Sequence, residues 1–445
     1  MKLNWILIEA FFGLVILSSL LYGMIGRSLM TKSNTRFLDI TLRQLIGFWK
    51  GEKVSKYDPE IELKLSMVPV SDSLPVNCTA IFSGNATEIR VAQQIEDISG
   101  TPNIAFVNLT KNCIAFKRER RYLTVPVNDE EKQFPIAYSI QMYKDIVQVE
   151  RLLRAIYRPQ NVYCINVDKS SPPDVHAGME ALAKCFDNVL LSDVNVAWGS
   201  FSQVEADLRC MKYVYNKSSD WKYFLTLTGQ EFPLKTNLDL VLILKALNGS
   251  NAMVSSTRKR FHKRWLHAGP PPINVTMVKG ACHFAVTRGF VHYVLFAKGM
   301  KNYTKWARRT IFPDEHFFQS LGHSPQLGIP GDYTGYPDTF SGSYRKITRY
   351  TIWRGYNRPC HGKWVRSVCV YGVGDLSRMS RAYELFANKF YYNLQPMALR
   401  CLEERHYRWT REDILGMRGT RLDLPFYSKL PNVKQHIPSG LEHWS

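Results

Sequence analysis

The chain predicts an α/β fold with a mostly parallel central sheet, and three observations carry that reading. Apolar strands alternate with amphipathic helices between residues 136 and 229, the pattern of a parallel sheet covered on both faces. The 445 residues are 45% hydrophobic and 13% aromatic, enough for one large core or two modest ones and unlike a disordered chain. The strand 222–229 closes on a glycine turn, and in such sheets ligands bind beyond the carboxyl ends of the strands.

The first segment is not part of that sheet. An apolar run from Trp5 to Ile25, broken only by Glu9, is long enough to cross a bilayer core of about 30 Å. It reads as an uncleaved anchor, with a cleaved signal peptide as the alternative, since such peptides carry apolar regions of only about 7–15 residues. Lys2 precedes the run while Arg27, Lys32 and Arg36 follow it, so the positive-inside tendency points away from a lumenal body. Two other features place the body in the secretory lumen. Asn-x-Ser/Thr sequons stand at Asn77, Asn85, Asn108, Asn216, Asn248, Asn274 and Asn302, all downstream of the run. Nine cysteines are dispersed with no CxxC pair, which disfavours zinc and fits disulfides with one sulfur left over.

Residues 28–60 form a polar connector. Beyond it come the strand 136–142, then the helix 145–157 with Ile146, Val149, Leu152, Leu153 and Ile156 on one face. Arg158-Pro159 ends that helix, and strands follow at 161–168 and 188–192. The helix 202–216 and the strand 222–229 complete the series. Asp168, at the end of its strand, is a candidate ligand residue or equally a turn residue. The pair of glycines in GVGD (372–375) lacks a dinucleotide fingerprint, and Arg366 and Lys389 flank it as cations in an apolar-aromatic region or as ordinary surface charges. In FPDEHFFQSLG (312–322), Pro313, Asp314 and Glu315 suit the first turn of a helix, where acids meet the positive dipole end. Lys and Arg number 58 against 38 Asp and Glu, giving a net charge of +20 that favours anionic partners. Basic residues are scattered without interleaved aromatics, so nucleic acid is not the expected partner.

Several blocks in one order carry a family likeness: FPIAYSIQMYKDIVQVERLLRAIYRPQNVYCINVDKS, FSQVEADLRCMKYVY, WKYFLTLTGQEFPLKTN, PDEHFF, and VRSVCVYGVGDL with LFANKF. Together they resemble the core-2/I-branching β-1,6-N-acetylglucosaminyltransferases over roughly residues 110–405. The resemblance implies a single-pass type II Golgi membrane protein: a cytoplasmic tip and signal anchor at 1–27, a lumenal stem at 28–60, a GT-A-like catalytic domain at 61–430 and a C-terminal tail at 431–445. It implies inverting transfer of N-acetylglucosamine from UDP-N-acetylglucosamine to a 6-hydroxyl of galactose or N-acetylgalactosamine in glycoprotein O-glycans. Glu315 falls on the family's catalytic base and Asp168 on its uridine-contacting Asp, while Arg366 and Lys389 match the cations that replace a metal. No Asp-x-Asp motif is present, Glu205-Ala206-Asp207 being the nearest approach, so no metal cofactor is expected. The resemblance also implies bridges Cys78–Cys401, Cys113–Cys185, Cys164–Cys210 and Cys360–Cys369, with Cys282 free and Thr228 at the family's unpaired cysteine position.

On the acceptor side the pattern departs from the family. Arg264-Trp265 is kept, but the expected Lys falls on Phe261 and the expected acid falls in NAMVSS, which has no carboxylate. A sugar-stacking Trp is replaced near Thr348, with Tyr350 keeping a Tyr; Arg264 and Tyr350 are therefore the acceptor candidates. A related transferase with another donor or acceptor, or a noncatalytic sugar-binding relative, stands as the alternative.

Overall fold

A computed structural model describes residues 58–69, 74–96, 100–339, 346–355 and 358–442. The apolar run Trp5–Ile25 and the greater part of the expected stem lie outside these residues. Among the described residues no helix is long and apolar enough to cross a membrane. The chain divides into two compact units, Met1–Glu62 and Leu63–Ser445; of the first, only residues 58–62 are described.

In the second unit, the strands β1 (Ile136–Met142), β2 (Val162–Val167), β3 (Val189–Ser192) and β4 (Tyr223–Thr228) build a sheet in the order β3-β2-β1-β4, all parallel. An antiparallel edge strand, β8 (Ala285–Thr287), completes it beside β4. The expected alternation is therefore present, with boundaries trimmed by a residue where side chains take other work. Asn161 stays out of β2 and accepts a hydrogen bond from the Ile136 amide at 2.9 Å; Asp168 turns away at the other end.

The period of two sorts each strand between two cores. Ile136, Tyr138, Ile140, Tyr163, Ile165, Val167, Tyr223, Leu225 and Leu227 face one layer, which holds Ile146, Val149, Leu152, Val175, Met179 and Leu240 from the helices Ile146–Ile156, Pro173–Ala183 and Asn237–Ala246. Ala137, Val162, Cys164 and Phe224 face the other, against Val204, Met211, Val214, Phe290, Tyr303 and Trp306 from the helices Ser202–Lys217, Arg288–Phe296 and Met300–Ala307. Burying each such side chain contributes roughly 1.5–3 kcal/mol, so both faces of the sheet stabilise the framework. Gly229 closes β4 because nothing larger fits: an added Cβ would lie 2.6 Å from Val149 Cγ2.

A second module packs on a third core that includes Ile81, Phe232, Tyr371, Val373, Met397 and Leu402. Its sheet runs β5-β12-β9, from β5 (Glu231–Pro233), β12 (Phe386–Asn388) and β9 (Arg349–Tyr350). Beside it stand the hairpin β10 (Lys363–Val365) and β11 (Val368–Val370) and the helix Pro396–Ile414. A short antiparallel pair, β6 (Ser255–Ser256) and β7 (Lys279–Gly280), lies before β8. The bridges Cys78–Cys401, Cys113–Cys185, Cys164–Cys210 and Cys360–Cys369 are all formed and Cys282 is free, the pattern implied by the resemblance. Residues 431–437 begin with a short helix, Pro431–Lys434, and the Ile437 amide donates to Asp332 O at 2.9 Å, so this part of the expected tail is held against the body.

Candidate active site

Because β1, β2 and β4 are parallel, their carboxyl ends open on one side. There Gln141, Met142, Asp168 and Thr228 line a cavity of about 610 Å³ together with Trp198, Arg366 and Lys389. Asp168 is buried, its Oδ1 accepting from the Ser170 amide (2.8 Å) and hydroxyl (2.6 Å) and its Oδ2 from the Val196 amide (3.0 Å). It is thus a turn residue as well as a wall of the cavity. Arg366 sits at the tip of the β10–β11 hairpin, where it and Ser367 both have positive φ (50° and 65°). That is the two-residue turn whose twist suits a tight hairpin, although it ordinarily selects Asn or Gly. The turn carries the Arg366 guanidinium to within 5.5 Å of the Trp198 ring. Lys389 follows β12, its Nζ 3.4 Å from the Tyr391 hydroxyl.

A second cavity, about 650 Å³, is lined by Glu315 with Arg258, Arg260, Phe261, Arg264, Lys279 and Trp353. Its position is fixed by a local device. Phe312 takes a left-handed φ of 51° and its amide donates to Gly199 O at 3.0 Å. Pro313–Glu315 then form a single 3₁₀ turn ahead of the helix Phe317–Leu321, so Pro313 does open a helical turn as expected. Glu315 Oε2 lies 2.5 Å from Arg264 Nη1, a charge contact without hydrogen-bond alignment, and Oε1 lies 3.4 Å from Lys279 Nζ. Asp314 has a different environment. Its Oδ1 is buried without a partner, and burial, reinforced by the charge of Glu315, pushes its carboxyl up to about 7. It does not cap a helix; it is a buried acid behind Glu315 whose surroundings favour the protonated form. His316 packs against Trp265 and Trp306, and burial depresses its imidazole to about 3, so it is a neutral core ring.

The two cavities share one wall: Cys282, His283 and Asn388 line both. Under that wall Glu231 is fully buried and collects Arg349 Nε (2.7 Å), His283 Nε2 (3.0 Å) and Asn388 Nδ2 (2.7 Å). Arg349 leads the charges that hold the Glu231 carboxyl down at about 2 despite its burial.

The model of the Core-2/I-Branching enzyme family matches residues 136–380. The chain belongs to the Core-2/I-branching enzyme family. A human protein named beta-1,3-galactosyl-O-glycosyl-glycoprotein beta-1,6-N-acetylglucosaminyltransferase 3 is 34% identical over 394 residues, covering 81% of this chain and 88% of the relative. A second human protein, of the same name without the numeral, is 35% identical over 374 residues, covering 76% and 87%. A Bos taurus protein with the first name is 36% identical over 325 residues, covering 67% and 73%.

For a Core-2/I-branching enzyme, the structure gathers Asp168, Arg366 and Lys389 in one cavity and Glu315 and Arg264 in the other. It does not bring Tyr350 to them. Side chains alternate along this stretch: Arg349 turns to Glu231, Thr351 lines the Glu315 cavity, and Tyr350 points into a separate cavity of about 700 Å³ with Arg358, Arg378 and Tyr383. Tyr350 thus stands apart from Glu315 and Arg264, although its cavity shares Val254 and Lys346 with theirs. Lys279 places its ammonium 5.5 Å over the Phe261 ring, and the half-exposed Trp353 lines the cavity. Sequence reasoning also missed Trp198, Glu231, His283 and Asn388. Glu231 and Asn388 stand inside the blocks WKYFLTLTGQEFPLKTN and LFANKF without a signal of their own; the pairing of β5 with β12 sets them side by side, and His283 reaches Glu231 from just before β8. Glu205 and Asp207 serve elsewhere, Glu205 in an ion pair with Arg308 at 3.0 Å and Asp207 accepting from the Ser139 hydroxyl at 2.8 Å. Among the described residues the one cluster with metal-ligand spacing is Cys360, Cys369 and Asp375, whose two sulfurs are joined in a disulfide.

Proposed function

We propose that the chain is an inverting β-1,6-N-acetylglucosaminyltransferase that takes UDP-N-acetylglucosamine as donor and an O-glycan galactose or N-acetylgalactosamine as acceptor. The observation that carries this reading is the shared wall: a cavity with fixed cations and a cavity with a carboxylate meet at Cys282, His283 and Asn388. A donor with its diphosphate between Arg366 and Lys389 would present its sugar at that wall, and an acceptor in the second cavity would bring its hydroxyl to Glu315. The acceptor oxygen attacks the anomeric carbon while Glu315 takes the hydroxyl proton. The bond from the anomeric carbon to the β-phosphate oxygen breaks on the opposite face, so the configuration inverts and UDP leaves with the electron pair. Arg366 and Lys389 meet the charge that develops there, Arg through paired donors and Lys as a point charge. Arg264 and Lys279 orient the Glu315 carboxylate, with the Lys279-facing Oε1 the less tightly held oxygen.

The donor cavity supports a metal-independent reaction. Among the described residues Asp168 is the one carboxylate on its wall, and both of its oxygens already accept hydrogen bonds from the chain, whereas hard divalent cations need several oxygen ligands. The proposal includes a Golgi location, with the run Trp5–Ile25 as a signal anchor and the catalytic body in the lumen, supported by the four bridges and the sequons. The test is transfer by the full chain from UDP-N-acetylglucosamine to a galactosyl-β-1,3-N-acetylgalactosaminide in excess EDTA, with the linkage read by NMR. A β-1,6 product at an undiminished rate is expected. Collapse of activity in EDTA with recovery on adding manganese would overturn the two-cation scheme.

A further inference from the structure

We infer that His283 and Asn388 are the specificity-determining contacts for the transferred sugar, presenting two hydrogen-bond acceptors to the acetamido N–H and a neighbouring hydroxyl of the donor's hexose. The inference rests on the functional reading above and deepens it. It begins from position: these side chains line both cavities, between the cations at one end and Glu315 at the other, where the sugar in transit must sit. Their polarity follows from what lies beneath. Glu231 is buried and ion-paired with the buried Arg349, so its carboxylate can only accept. His283 must then donate from Nε2 (3.0 Å) and Asn388 from Nδ2 (2.7 Å) to the same Glu231 Oε1. Burial lowers the pKa of His283, which keeps the ring neutral and leaves Nδ1 as an acceptor. Asn388 correspondingly keeps Oδ1, which takes no hydrogen bond from the described residues. The Cys282 thiol, 3.7 Å from Nδ1, offers only a weak donor, and burial holds it protonated.

A wall that accepts favours a ligand that donates. A 2-acetamido sugar supplies an amide N–H where glucose supplies a freely rotating hydroxyl, so the wall should discriminate between these two donors. Glu231 is a positioning residue here, fixing the tautomer of one side chain and the flip of the other.

The experiment measures binding of UDP, UDP-N-acetylglucosamine and UDP-glucose to the full chain by calorimetry, with kcat/KM for both sugars, in wild type, Asn388→Ala and His283→Phe. The wild type should prefer the acetamido donor. Each variant should lose about 3- to 10-fold of that preference, the effect of one neutral hydrogen bond, while its affinity for UDP alone stays within about twofold. An unchanged preference in both variants would overturn the inference, as would a parallel loss of UDP and UDP-sugar affinity. A wild type that binds UDP but gains nothing from either sugar would overturn the functional reading itself, and this inference with it.

Discussion

The carboxyl of Asp314 is buried with one oxygen unpaired, whereas Glu315, next in the chain, opens on a cavity between two cations. Adjacent acids in one turn thus receive separate tasks from their surroundings. For Asp314 the folded value of about 7 lies above the ordinary carboxylate range, so the native state binds the extra proton between those limits. Stability from this group is therefore complete at acid pH and is lost as pH rises through about 7. Asp314→Asn removes the ionisation while keeping the shape. Its unfolding free energy should match wild type near pH 4 and exceed it at pH 8, by on the order of 2 kcal/mol after allowance for relaxation around the charge, as read from denaturant melts at the two pH values. A difference that is constant with pH would show that Asp314 is not the titrating group. Of these two residues only Glu315 had a role legible in the sequence, through the Pro-Asp-Glu block. Asp314 reads as a first-turn acid there, because its burial depends on segments far away in sequence, among them the helix Ser202–Lys217 that packs on this turn.

Strands β1, β2, β3 and β4 and the two helices Ile146–Ile156 and Ser202–Lys217 were legible because their side chains repeat at the periods of the structures they form. Strands of two or three residues, such as β5, β9 and β12, have no period to read, and the pairing of β12 with β9 and, across more than a hundred residues, with β5 is a tertiary choice. The same is true of the β10–β11 hairpin, whose Arg366-Ser367 turn lacks the Asn-Gly signature. That turn supports a prediction with opposite signs for folding and function. Arg366→Gly relaxes a left-handed φ of 50°, so the melting temperature should be unchanged or raised. Removal of the guanidinium should weaken UDP binding by roughly 1.5–3 kcal/mol, the value of a charge-assisted hydrogen bond. Calorimetry of UDP binding beside a thermal melt checks both; a lower melting temperature with normal UDP affinity would remove Arg366 from the donor site.

Across the whole chain, charge and glycosylation are set by position more than by motif. Six of the seven sequon asparagines are exposed, but Asn248 is half-buried, with its Oδ1 buried and a φ of 50° after the helix Asn237–Ala246. A bulky glycan has little room there, so glycopeptide mapping of secreted protein should find Asn248 unmodified while the exposed sites carry glycan. The net charge of +20 has one focus in the Glu315 cavity, which Arg258, Arg260, Arg264 and Lys279 line, the last two paired with the carboxylate. Composition indicated an anionic partner without showing where it would bind, because scattered basic residues become a patch only after folding. The central claim is the division of labour between the two cavities, and one paired measurement tests it most directly: turnover and UDP affinity in Glu315→Gln set against Lys389→Ala. Glu315→Gln should lower turnover by about 10²-fold or more with UDP affinity unchanged, since it removes a proton acceptor and nothing from the donor cavity. Lys389→Ala should weaken UDP binding by roughly tenfold or more. Near-normal turnover in Glu315→Gln, or loss of UDP affinity in that variant with none in Lys389→Ala, would contradict the account.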